Sequence, residues 1–172
     1  MTKKCTKPQH GQYDKNLDSL TPNYYFAILL FLLLLCIYLL LIGRWSLDGD
    51  EYYTLRDCRS SVYDILTNNR KPVYYLICHF ITELPLPLEV SLRLPAAFFA
   101  ALLAPTYYLL LWSPKTKRVA LYAAILIGAN AWLFEFSQFA RFYTLTFWFA
   151  SLSALGLYRW LFDRRHRWLV LF

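Results

Sequence analysis

The chain has 172 residues, 58% of them hydrophobic, and a net charge of +7. That apolar fraction is too high for an ordinary soluble domain. The positive surplus does not point to nucleic acid, because the basic residues sit beside apolar blocks and no soluble segment interleaves them with aromatics.

Residues 1–23 are polar and carry Lys3, Lys4, Lys7 and Lys15. The apolar block that follows is too long for a cleavable signal core and has no small-residue cleavage site after it, so it reads as a signal anchor. This block, 24–42, has no charge and no proline and is expected to cross a bilayer as a helix. Three more spans are expected at 94–112, 119–134 and 142–161, with Arg159 snorkelling at the end of the last. The run from Trp168 to Phe172 is expected to be the start of a further, cut-off span.

Between the first two spans lies a long mixed segment, 44–93. Within it, Val73 to Leu84 is apolar but only twelve residues long, and it includes His79 and Glu83. That length suits a helix lying along the membrane surface. The short basic segments 113–118 and 163–167 and the Lys-rich N-terminus then all fall in the cytoplasm, which the positive-inside rule favours. The expected fold class is an all-α, polytopic helical membrane protein. Its N-terminus is cytoplasmic, and segment 44–93 is a helical outer loop facing the periplasm or the outside. The turn 135–141 falls on the same outer face.

Four cysteines, Cys5, Cys36, Cys58 and Cys78, match no zinc or redox spacing. Cys36 reads as an apolar filler of the first span. Cys58 and Cys78 can pair if their loop faces an oxidising compartment, although free thiols are the expected state.

The outer loop opens with Asp48, Asp50 and Glu51, three carboxylates in four residues. Such clustering suits a metal, a cationic partner or general-base work, and the bland alternative is a solvated acidic loop. A divalent cation on Asp48, Asp50 and Glu51 is possible, and a hard ion suits them better than zinc. Arg141, flanked by aromatics, either snorkels to headgroups or holds a phosphate. Arg70 and Lys71 stand just before Pro72, and Arg93 just before Leu94-Pro95, where each proline can open a helix.

Taken in order, these residues resemble a family. Asp50-Glu51 with Tyr53-Thr54, then Lys71-Pro72-Val73-Tyr74-Tyr75, Leu92-Arg93-Leu94-Pro95 and Ser137-Gln138-Phe139-Ala140-Arg141-Phe142-Tyr143 look like the N-terminal part of the GT-C glycosyltransferases. The likeness is to the superfamily of protein mannosyltransferases and aminoarabinose transferases, and it covers residues 24–161. It implies a GT-C-like transmembrane module in the plasma (inner) membrane. It also implies transfer of a sugar from a polyprenyl-phosphate donor to a lipid, glycan or protein acceptor on the outer or lumenal face. Asp50 would be the base with Glu51 beside it, and Lys71, Arg93, Arg141 and Tyr143 would hold substrate and phosphate. Phe139 stands where many relatives carry Glu, and Arg70-Lys71-Pro72 replaces the commoner His-Pro-Pro. The chain is shorter than members of that group, so a fragment or a shortened form is expected. A non-catalytic membrane protein that assembles with a partner is the alternative.

Overall fold

The computed structural model describes residues 22–163 and 170–171. The expectations placed on the N-terminal lysines and Cys5, on the basic segment 164–167 and on most of the apolar run from Trp168 lie outside the described residues. Within them the chain forms eight α-helices and no strand, so it is all-helical as expected.

Helix α1, Tyr24–Leu39, starts at Asn23, whose side chain accepts the Phe26 N–H at 3.1 Å. Three short helices follow: α2 (Gly49–Cys58), α3 (Val62–Asn68) and α4 (Pro72–Thr82). Then come the long α5 (Leu88–Leu111), the pair α6 (Lys117–Gly128) and α7 (Ala131–Ser137), and α8 (Tyr143–Asp163).

Helix α5 is the centre of the bundle. Ala96, Ala97, Ala100, Ala101 and Ala104 are all fully buried, and small side chains let neighbouring helices approach closely. Leu34, Tyr38 and Ile42 pack on this stripe from the α1 side and Leu133 from α7. At the far end of α5, Tyr108 packs with Ala27 of α1 and with Ala120 and Ala124 of α6. A separate core lies under the short helices. It joins Leu55, Ile65 and Tyr74 to Leu92 of α5 and Leu145 of α8.

The expected spans need correction. Among the described residues, only α5, with 24 residues, is long and apolar enough on its own to cross a membrane. The first helix stops after 16 residues, about 24 Å at the helical rise. The second expected span starts earlier than 94, because Pro87 is the N-cap and Glu89 sits in the first turn, so Arg93 and Pro95 lie inside the helix. The third breaks after Gly128, and α6 and α7 meet at a bend of 54°; taken together they pass as one further span. Asn130 causes the restart, accepting the Leu133 N–H at 3.1 Å. In α8, Thr144, Thr146, Ser151, Ser153 and Arg159 dilute the apolar run. Arg159 does not stand alone at a helix end: it donates to the carbonyls of Leu110 and Trp112, capping α5.

The bundle therefore has two unlike ends. At one, Asn23, Tyr108, Trp112, Lys117 and Arg118 line a shared hollow. At the other, the end of α1, the start of α5, the short helices and the turn 138–141 come together.

Candidate functional site

At this second end the acidic cluster is sorted by helix α2. Asp48 is its N-cap, and its Oδ1 accepts the Gly49 N–H at 2.7 Å. Glu51 closes the capping box by accepting the Asp48 N–H at 3.0 Å. One residue apart on a helix is about 100° of rotation, so Asp50 and Glu51 leave α2 on different sides.

Glu51 turns inward and is fully buried. Its Oε1 accepts from Arg93 Nε at 2.8 Å and from the Ala140 N–H at 2.7 Å. Its Oε2 accepts from Arg93 Nη2 at 2.6 Å. The remaining Arg93 donors go to the carbonyls of Ile42 (3.0 Å), Trp45 (2.9 Å) and Ser46 (3.1 Å). A guanidinium has five N–H groups, and all five are spent. Burial pushes the Glu51 carboxyl up, but the bonds from Arg93, Ala140 and Asp48 and the Arg93 charge bring it below its ordinary value. Glu51 was expected to stand in the catalytic site beside the base Asp50, and Arg93 to hold substrate and phosphate. The structure gives them another task, because neither has an atom left for a substrate. The pair ties the end of α1, the start of α2, α5 and the 140 turn into one unit.

The three carboxylates do not converge on a point. Among the described residues, no group of three His, Cys, Asp or Glu side chains is placed to hold a metal ion. The expected Asp48, Asp50 and Glu51 cluster is divided between a cap, an open side chain and a buried pair.

Asp50 faces outward and forms an ion pair with Arg141, the approach expected across some ninety residues of sequence. This pair is open: the Asp50 side chain is 65% exposed and that of Arg141 16%. Arg141 Nε is buried and has no protein partner. Lys71 stands close by, with Nζ 3.3 Å from the centre of the Phe142 ring. Burial, then the charges of Arg141 and Arg70, hold the Lys71 ammonium below its ordinary value. Three cations, Arg70, Lys71 and Arg141, thus lie near this corner, with Asp50 paired to Arg141 and Asp57 in the cleft that Arg70 and Lys71 line. Tyr143, also expected here, is partly exposed, and its ring packs against Phe136 and Phe142.

Lys71 divides two hollows of different character. On one side is an apolar groove of about 400 Å³ between α4 and α8, walled by Tyr74, Phe142, Leu145, Phe149 and Ser153. On the other is a polar cleft of about 380 Å³, walled by Arg56, Asp57, Asn69, Arg70 and Tyr75. Phe142 and Asn69 had no place among the expected site residues. The aromatic after Arg141 was a signal for the first; nothing in the sequence marked the second. A third hollow, of about 500 Å³, lies over the Glu51–Arg93 pair and is bordered by Glu135, Gln138 and Phe139.

Comparison with family models, with curated proteins and with solved structures finds no match to this chain.

Proposed function

We propose that the chain carries the base and donor-phosphate corner of a membrane glycosyltransferase. It would move a sugar from a polyprenyl-phosphate donor to a lipid, glycan or protein hydroxyl. The observation that carries this reading is the open Asp50–Arg141 pair beside Lys71, at the head of an apolar groove. In this reading the prenyl chain follows the groove along α8, and its phosphate meets Lys71 and Arg141. The acceptor enters by the polar cleft. Its oxygen attacks the anomeric carbon, the bond from that carbon to the phosphate oxygen breaks, and the acceptor proton passes to Asp50. The charge left on the phosphate is held by Lys71 and by Arg141, whose Nε has no protein partner. Glu51 and Arg93 position α2 and take no part in the transfer.

The same reading makes the protein polytopic, in the plasma (inner) membrane, with the Asp50 end outside and the Lys117 end in the cytoplasm. The separation of these groups to opposite ends of the bundle supports it. So does the outward face of α1, where Tyr25, Ile28, Leu29, Leu32 and Leu33 are exposed apolar side chains. That face equally suits further helices, which is the ground for the second reading, a non-catalytic assembly partner.

The test is sugar transfer from a radiolabelled polyprenyl-phosphate-linked hexose, in membranes holding the full chain with and without Asp50→Asn. A loss of about 10²-fold or more is expected, the usual share of general-base catalysis. Near-normal transfer by Asp50→Asn would remove Asp50 as the base.

A further inference from the structure

Helices α2 and α4 meet at two cysteines that the site does not use. Cys58 is the last residue of α2 and Cys78 lies in the second half of α4. Both are fully buried free thiols and share one core with Leu55, Ile65 and Tyr74. The backbones are held together at this point, because a ring nitrogen of His79 is hydrogen-bonded to the Cys58 carbonyl at 2.7 Å. The residue bonded to the Cys58 carbonyl is thus the one next to Cys78 in the chain, and both thiols sit in the same core.

The surrounding segment needs a staple. Its helices have 10, 7 and 11 residues, each below the length at which an isolated helix is stable. Small units with little core of their own gain most from a covalent link.

We propose that Cys58 and Cys78 form a disulfide that closes the unit α2–α4. The proposal rests on the reading that residues 44–93 face an oxidising compartment. The oxidant is a disulfide donor of that compartment. One cysteine thiolate attacks a donor sulfur, forming a mixed disulfide and releasing one donor thiolate. The second cysteine thiolate then attacks the mixed disulfide, forming the Cys58–Cys78 bond and releasing the other donor sulfur. The pair gives up two electrons and two protons, and the donor ends as two thiols. The exchange takes place before the unit closes, since the folded pair is sealed from any donor. Contact with Cys78 and burial also push the Cys58 thiol far up and leave it unreactive once folded.

The bond and the orientation are tested separately. Membranes with the full chain are quenched in acid, denatured and alkylated with a maleimide, with and without prior reduction, and peptides are weighed. The expected result is that Cys58 and Cys78 take up label only after reduction, while Cys36 takes it up in both arms. Cys58→Ser should then make Cys78 reactive without reductant. In a second preparation, Tyr63→Cys, at a side chain 73% exposed on α3, is treated in intact cells with an impermeant maleimide. Labelling at this position, together with free alkylation of Cys58 and Cys78 without reductant, overturns the disulfide alone. Labelling at this position only after lysis overturns the orientation, and the disulfide with it.

Discussion

Asp50 and Glu51 are neighbours in the chain, and each is paired with an arginine, but the two pairs live in different solvents. The Glu51–Arg93 side chains are 0% and 3% exposed, with every oxygen and every N–H engaged. The Asp50–Arg141 side chains are 65% and 16% exposed, and Arg141 keeps an unpartnered Nε. Identical chemistry has thus been divided by burial. A saturated buried pair fixes position and offers nothing to a ligand. An open pair contributes little to stability and leaves its carboxylate reachable.

The sharpest way to break this contrast is Arg93→Ala. It leaves a buried carboxylate uncompensated and frees three carbonyls. A loss of about 3–5 kcal/mol is expected, read as a large drop in thermal stability in detergent; a drop no larger than that of Arg141→Ala would erase the distinction. The same pair predicts an acid limb. Glu51 lies below its ordinary 4.5 in the folded state, so its stabilisation is complete above that value and is lost as pH falls through the folded value. Glu51→Gln should flatten this limb in a stability–pH titration.

Asp50→Asn should do the reverse of Arg93→Ala. The thermal midpoint should hardly move, an exposed pair being worth about 0.2–1 kcal/mol, while sugar transfer collapses. A variant that lost stability and activity together would make Asp50 a positioning residue.

Lys71→Gln should weaken binding of a short-chain polyprenyl phosphate by about ten-fold or more, the scale of one charge-assisted hydrogen bond. Phosphate favours the protonated amine, so affinity should fall as pH rises through the lowered Lys71 value, earlier than for an ordinary lysine. Isothermal titration at several pH values would show the fall, and Lys71→Gln should remove it. The smallest change is expected from Tyr143→Phe, within about three-fold in kcat/KM, since the ring stacking on Phe136 and Phe142 survives. A larger loss would give its hydroxyl a direct contact with substrate.

Much of this architecture is legible in the amino-acid sequence. The apolar blocks point to the all-helical class, and the order of polar segments brings Asp50 and Arg141 to one end. Boundaries fail where local signals compete. Pro95 looks like a helix start, but Pro85, Pro87 and Glu89 mark the true one. Gly128 and Asn130 hold a stop and a start inside one apolar run. The roles of Glu51 and Arg93 cannot be read from sequence at all. A charged residue next to a catalytic candidate looks the same whether it faces solvent or core, and the partner that decides Glu51, the Ala140 N–H, is a backbone group with no side-chain signature.

The span of the Glu51 bonds also sets an order of events while the protein is being made. Chains emerge from the ribosome N-terminus first, so α2 exists well before its partners do. Glu51 has no counter-charge until residue 93 appears and lacks its last donor until residue 140 follows. The neighbouring Arg141 arrives one residue later, so the chain completes its open pair only after everything needed to seal the other has been synthesised. Ribosome stalling between residues 93 and 140 would leave Glu51 bonded to Arg93 but without its Ala140 donor, a half-assembled state in which Asp50 has no Arg141 to face.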